Sequence, residues 1–225
     1  MPANISVDGD ELEITIKTRL SGNMLECEEQ LQDALNEGGQ LATEHLLKRH
    51  DTDGTTIVQA SERWYSKGEQ PKKYETPYGT VTVNRHVYQR HTGGSTLCPM
   101  EQSARIIVTS TPRYAKILTG KYARMSCRMA SEDLYESNRR KAVPAHFVRT
   151  AEFVGTIAEA KESSWEYEIP ILKRSVATVA LGVDGTCMLM CESGWREAMT
   201  GTIALYDTDG VRMHTIYVGA VPEYG

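Results

Sequence analysis

Alternating apolar and polar positions mark residues 175–225 as a β-sheet. The run at 176–183 is apolar and rich in β-branched residues, and it ends on Asp184-Gly185-Thr186. Two further strand-like runs, 199–206 and 211–218, are joined by Asp207-Thr208-Asp209-Gly210. This pattern predicts an antiparallel meander of three strands. We expect the first strand to be the most buried, so that Asp184 would need a positively charged partner.

The preceding part of the chain mixes strand and helix patterns. Residues 11–18 alternate and predict a short strand with one buried face. Apolar residues at helical spacing from about Ser21 to Leu46 predict a helix. Gly38-Gly39 should break or bend it, because each glycine costs about 1 kcal/mol in a helix interior. Residues 80–88 follow a turn at 76–79 and predict a further strand.

Residues 112–162 have the pattern of three short helices. Pro112 suits a first helical turn, Ser131 suits the cap of a second helix ending near Asn138, and Pro144 begins a third. The predicted fold class is therefore α+β. We expect an acidic strand and helix at 1–60, a β-hairpin region at 61–98, a helical, helix-turn-helix-like region at 99–170 and the sheet at 171–225.

The formal net charge of −5 conceals a strong asymmetry along the chain. Residues 1–60 carry a net charge of −8, residues 61–150 carry +9, and residues 151–225 carry −6. A basic middle between acidic ends is typical of a chain that meets a polyanion with one part only. The alternative is a solvated surface whose charges segregated without a binding role.

The basic region coincides with the predicted helices. Short helices with brief connectors are typical of a helix-turn-helix arrangement, which can place one helix in the major groove of DNA. A plain helical bundle with basic solvent-facing positions would have the same sequence pattern. The candidate DNA contacts are Lys121, Arg124, Arg128, Arg139, Arg140, Lys141 and Arg149.

The Asp184-Gly185-Thr186 motif has several chemical interpretations. A phosphatase-type Asp-x-Asp-Gly-Thr motif needs a nucleophilic aspartate where Gly182 stands. A phosphate loop of the sugar-kinase and actin type needs a second glycine before the threonine. A ribonuclease H-like nuclease needs an aspartate on the first of three antiparallel strands, where Asp184 would be one ligand of a two-magnesium site. Asp207 and Asp209 are explained instead as turn residues.

Cysteine content and hydropathy bear on the compartment. The five cysteines are scattered and form no Cys-x-x-Cys pair, which suits a reducing cytosol better than a disulfide framework. No apolar run approaches the roughly 18 residues that span a bilayer, and no secretory signal is visible. We expect a cytoplasmic protein that is associated with the nucleoid and has no membrane partner.

Several short motifs, spread over nearly the whole chain, together suggest a family. Among them are Asn36-Glu37-Gly38-Gly39, Thr76-Pro77-Tyr78-Gly79, Arg85-His86-Val87-Tyr88-Gln89, Gly182-Val183-Asp184-Gly185-Thr186-Cys187 and Pro222-Glu223-Tyr224-Gly225. In combination these motifs are highly specific. They resemble the Kra-type insertion-sequence transposases, which are DDE enzymes with a ribonuclease H-like catalytic domain.

The resemblance implies that the chain binds transposon-end DNA. In the full-length family, strands are cleaved and joined with Mg²⁺ or Mn²⁺, and transposases commonly act as homo-oligomers. Asp184 is the one member of the catalytic triad that maps onto this sequence. The resemblance therefore implies an N-terminal, truncated portion that is catalytically incomplete and does not hold the metal tightly.

Two other functions are compatible with the sequence. A non-catalytic DNA-binding remnant could act as a repressor or accessory factor of an element or another nucleic-acid-processing system. A metal-dependent phosphohydrolase acting on small molecules would have no salt-sensitive affinity for DNA. For a DNA-binding protein, substituting Arg139, Arg140 and Lys141 together should weaken binding more than substituting Lys17 and Lys48. We also expect the isolated chain to associate through an open sheet edge.

Overall fold

The computed structural model describes residues 3–164, 166–190 and 194–220. The chain divides into two compact units, Met1–Trp165 and Glu166–Gly225. Within the described residues there are five helices, and every strand pairing between named strands is antiparallel. The predicted α+β class is therefore confirmed. None of the helices in these ranges is long and apolar enough to cross a membrane.

The first unit contains six strands and all five of these helices. Strands β1 and β2 form a two-stranded sheet, and β3-β4-β5-β6 form a four-stranded sheet in that order. The elements are β1 (Ala3–Asp8), β2 (Glu11–Ile16), α1 (Met24–Arg49), β3 (Ile57–Gln59), β4 (Glu62–Glu75), β5 (Thr80–Arg90), β6 (Thr96–Leu97), α2 (Pro99–Ser103), α3 (Pro112–Tyr122), α4 (Cys127–Asn138) and α5 (Pro144–Glu162).

Helix α1 begins at a capping box in which Asn23 and Glu26 bind each other's backbone amides. It continues through Gly38-Gly39, so the predicted break is wrong. A Cβ atom at position 38 would lie 2.8 Å from Ile16 Cδ1, and one at position 39 would lie 2.4 Å from Cγ of Tyr78. The two glycines thus let β2 and the 76–79 turn approach the helix closely.

We expect Gly39→Ala to destabilise the protein by about 1–3 kcal/mol, the usual cost of overpacking. In a Tyr78→Ala background the same substitution should stabilise it by about 0.5–1 kcal/mol, because alanine is the better helix former once the ring is gone. Urea unfolding of the four variants measures this double-mutant cycle. A destabilisation of the same size in both backgrounds would contradict the contact.

The hairpin β4–β5 turns at residues 76–79 and encloses the first core cluster. The Thr76 hydroxyl donates to the Gly79 carbonyl at 2.7 Å and accepts from the Gly79 amide at 3.0 Å. Tyr74 and Val83 are fully buried in this cluster, which also contains Leu47, Val81 and Met100. The core thereby joins the hairpin to the end of α1 and to α2.

A polar cluster lies against this core, where Glu101 of α2 meets the hairpin. Oε1 of Glu101 accepts from Tyr74 Oη at 2.5 Å and from Lys72 Nζ at 2.8 Å. Arg85 Nε donates to Tyr74 Oη at 3.0 Å and lies 3.5 Å from the same carboxylate oxygen. Burial opposes ionisation of Glu101, but the hydrogen bonds from Lys72 and Tyr74 outweigh it and hold its pKa below the usual range.

Helices α3, α4 and α5 pack around a second cluster that contains Tyr114, Leu118, Ala130, Leu134 and Phe147. The starts of α3 and α5 at Pro112 and Pro144 agree with the prediction. The start of α4 differs, since the helix begins at Cys127 and not near Ser131. Ser126 caps the helix, because its hydroxyl accepts a hydrogen bond from the Met129 amide at 3.4 Å. The sequence contains two serines that could cap a helix here, and the acidic residues after Ser131 favoured the wrong one.

The second unit contains β7 (Thr178–Met190), β8 (Gly194–Tyr206) and β9 (Arg212–Ala220) in the order β7-β8-β9. The predicted meander is confirmed, and β7 extends well beyond its predicted end. The expectation that β7 is the most buried strand is wrong, because every side chain of it that the structure describes is exposed. A sheet's first strand is buried only when something covers its faces, and sequence alternation does not show that.

Candidate nucleic-acid interface

The exposed face of α3 carries a row of cationic side chains. Arg113 and Lys116 lie one helical turn apart on this face. Arg124 lies just beyond the C-terminal end of the helix. All three cations are exposed, and none is paired with a carboxylate in the part of the chain that the structure describes. We call Arg113, Lys116 and Arg124 the α3 cations.

A groove of about 560 Å³ runs beside the α3 cations, between α3 and the C-terminal part of α4. Its lining includes all three of them, together with Lys121 and Asp133. The Nζ of Lys121 donates to the Asp133 carboxylate, so these two charges cancel. In the part of the chain that the structure describes, the groove therefore keeps three uncompensated positive charges, which is the electrostatic character of a phosphate-binding surface.

The connection between α3 and α4 is as short as that of a helix-turn-helix. Residues 123–126 separate the two helices. In that motif the second helix usually enters the major groove. Here α4 carries Glu132, Asp133 and Glu136 against a single arginine, Arg128, which is itself paired with Glu132 at 3.0 Å. Charge therefore favours α3, and not α4, as the helix that faces a polyanion.

Two of the candidate DNA contacts bind carboxylates of distant elements. Arg139 donates to Glu29 at 3.2 Å and to Asp33 at 3.4 Å, both on α1. Arg140 donates to Glu75 at 2.5 Å, and its Nε donates to the Thr76 carbonyl at 3.2 Å. These arginines hold the end of α4 to α1 and to the hairpin turn. Their charges are therefore largely neutralised by carboxylates of the same chain.

The remaining candidates differ in their surroundings. The Lys141 ammonium lies 4.9 Å from the centre of the Tyr135 ring, which leaves its charge uncompensated by a carboxylate within the described residues. Arg124 and Arg149 are exposed and have no such partner there either. Of the predicted DNA contacts, the structure thus brings Lys121 and Arg124 together in the groove. Arg113 and Lys116, which were not among the predicted contacts, lie in the same groove.

Sequence reasoning missed Arg113 and Lys116. A signal for them existed in the sequence, because Arg113 and Lys116 lie one helical turn apart on the side of α3 opposite Tyr114 and Leu118. Counting charge along the chain could not separate a paired arginine from a free one. That separation needed the positions of carboxylates far away in sequence.

Asp184 lies in the middle of β7, opposite Thr200 on β8. Its carboxylate is exposed, and Oδ1 accepts the neighbouring Gly185 amide at 2.9 Å. A shallow depression of about 240 Å³ beside it is lined by Gly182, Thr200 and Thr202 among others. The predicted cationic partner for Asp184 is absent among the described residues, and because the carboxylate is exposed it needs none.

The surroundings of Asp184 do not fit a divalent-metal site by themselves. Magnesium takes six oxygen ligands, commonly with one or two carboxylates among them, and a two-metal site needs more. Within the described residues no group of three His, Cys, Asp or Glu side chains is placed to hold a metal. A metal-binding role for Asp184 therefore stays a prediction.

Asp207 and Asp209 occupy the β8–β9 turn, as predicted. Oδ1 of the buried Asp207 accepts the Val211 and Asp209 amides, each at 2.9 Å. Arg174 donates to both carboxylates at 2.8 Å. The Val211 amide and Arg174 hold the pKa of Asp207 below its usual range despite the opposing effect of burial. These aspartates are fully explained by the turn that they close.

Comparison with protein-family models and with curated proteins gave no match for this chain. The resemblance to Kra-type transposases therefore stays a prediction from the motifs.

Proposed function

We propose that this chain binds duplex DNA through the α3 cations, as the DNA-binding portion of a DDE-type transposase. The observation that carries the proposal is the groove beside α3, where three cations have no carboxylate partner within the described residues while Lys121 is neutralised by Asp133. Phosphate contacts by arginine and lysine supply most of the affinity of non-specific DNA binding. The short α3–α4 connection and the motif resemblance are consistent with it.

The catalytic part of this proposal depends on the second unit. Three antiparallel strands in chain order with an exposed aspartate on the first are compatible with the opening strands of a ribonuclease H-like domain. Asp184 would be its first metal ligand. That assignment derives from the resemblance, and the DNA-binding proposal stands without it.

Salt dependence of binding to a short fluorescein-labelled duplex tests the proposal. With three phosphates contacted, log K should fall against log salt with a slope of about −2.7, from about −0.9 for each phosphate. Fluorescence anisotropy at about 50 to 200 mM salt measures the slope. Affinity that does not change over this range would refute DNA binding by the α3 cations.

A second candidate is a non-catalytic DNA-binding protein, a repressor or accessory factor of an element. It is favoured by Asp184 being a single carboxylate on the polar face of the described sheet. Both candidates predict the same salt slope. Strand cleavage when labelled duplex is incubated with the chain and Mg²⁺ would reject the accessory role, whereas intact duplex agrees with both candidates.

A further inference from the structure

The three-stranded sheet of the second unit has one strongly apolar face. Strand register places alternate residues of β7, β8 and β9 on it, with Val183, Gly201 and Val218 in one row across the sheet. Leu205 on this face is buried, and Met199, Ile203 and Ile216 are partly buried. Six other large side chains of the face are between 53 % and 74 % exposed: Val179, Leu181, Val183, Leu189, Trp195 and Val218. We call these six residues the apolar face.

The opposite face of the same sheet has a different character. Its positions on β7 and β8 include Thr178, Asp184, Thr186, Thr200 and Thr202, so it is rich in hydroxyl groups. A sheet with one polar and one apolar face is the pattern of a sheet packed on one side. Soluble monomers rarely expose a contiguous apolar patch of more than a few hundred Å². The apolar face therefore indicates a missing packing partner.

The size of this face can be compared with what a stable interface needs. Strands β7 and β8 have 13 residues each and β9 has 9 residues. At a rise of about 3.3 Å per residue and a strand spacing of about 4.8 Å, one face covers about 550 Å². Two such faces together cover about 1,100 Å², close to the lower end of specific protein–protein interfaces. The area is sufficient for a dimer of two identical faces.

We propose that a second copy of this chain covers the apolar face, so that two sheets stack in a sandwich across a two-fold axis. Aligned sheets pack about 10 Å apart with interdigitated side chains. Gly201 leaves a depression of about 180 Å³, lined by Val183, Met199 and Val218, which receives an apolar side chain of the other copy. The interface is isologous, since the same surface is used by both chains.

Charge selects the direction of the stacked strands. Among the described residues on this face of β7 and β8, Glu197 is the one carboxylate, and it lies near the start of β8. A two-fold axis perpendicular to the strands at the Val183–Gly201 row places the two Glu197 side chains at opposite ends of the interface. An axis parallel to the strands would bring them together, which like-charge repulsion disfavours.

Sedimentation equilibrium of the full chain tests the proposal. The wild type should behave as a dimer in equilibrium with its monomer of 25.1 kDa. Leu181→Thr with Val183→Thr on β7 should raise the dissociation constant at least tenfold, and Val218→Thr on β9, the opposite edge strand, should raise it severalfold. Threonine keeps strand propensity, and all three positions are exposed in the monomer, so the fold should persist in circular dichroism.

The matched control is Val58→Thr, which removes a similarly exposed strand valine from the first unit and should leave the dissociation constant unchanged. A wild type that stays monomeric at all concentrations would overturn the proposal. So would association that Leu181→Thr and Val183→Thr do not weaken. Open-ended growth beyond the dimer would also overturn it, because it points to pairing at the sheet edges.

Discussion

Replacing Arg113, Lys116 and Arg124 together by glutamine should weaken binding to duplex DNA about 100-fold at about 0.15 M salt, with little change in stability. Three lost phosphate contacts reduce the salt slope by about 2.7, and extrapolation from 1 M salt gives this factor. These side chains are exposed and unpaired in the described structure, so their removal breaks no ion pair. Anisotropy titrations and thermal unfolding measure the two effects.

The matched control is the triple glutamine variant of Arg139, Arg140 and Lys141, which changes the net charge by the same amount. The sequence alone predicted these three as important contacts. Because Arg139 and Arg140 bind Glu29, Asp33 and Glu75, we now expect this variant mainly to lose stability. Equal weakening of DNA binding by both triple variants would mean that net charge, and not the α3 surface, governs affinity.

The elements that sequence periodicity predicted correctly are those fixed by local chemistry. Proline at a first helical turn located α3 and α5, and alternation with an Asp-x-Asp-Gly turn located the C-terminal meander. The Asp207 turn could be predicted because the backbone amides that its carboxylate accepts belong to residues at most four positions away. Such features depend on neighbours that the sequence itself displays.

The errors concern contacts between distant segments. Gly38-Gly39 signalled a helix break, because glycine is a poor helix former, but the glycines are required where Ile16 and Tyr78 pack on α1. An apolar β-branched run signalled a buried strand, yet β7 is exposed in the described chain. In both cases the local preference of the residues was judged correctly. Contacts with distant segments, present at Gly38-Gly39 and absent over the described part of β7, decided the outcome.

The candidate site was located only in part for the same reason. The basic middle of the chain was visible, but the ion pairs that neutralise Arg139 span more than one hundred residues of sequence. Three of the cations without a carboxylate partner in the described structure cluster beside α3, and a count of charges along the sequence does not show this. The site is thus defined as much by the positions of carboxylates as by those of cations.

The largest expected loss of stability comes from Glu101→Gln. Glu101 is the common acceptor for Tyr74 and Lys72 and is close to Arg85, whose side chain is 11 % exposed. The substitution leaves buried positive charge without its anion, which typically costs 3–5 kcal/mol when the pair is fully buried. Because the Glu101 side chain is 24 % exposed, we expect a loss of about 2–3 kcal/mol in urea unfolding at neutral pH.

The pH dependence of this loss separates charge from packing. The pKa of Glu101 is lower in the folded state than in the unfolded chain, so its contribution is present above the ordinary glutamate pKa and is lost as the pH falls through the folded value. Wild type and Glu101→Gln should therefore converge in stability in acid. Glu62→Gln, which breaks an exposed pair with Arg90, should cost less than about 1 kcal/mol. A Glu101→Gln deficit that persists unchanged in acid would assign its effect to packing, and the ion cluster would then not be what joins α2 to the hairpin.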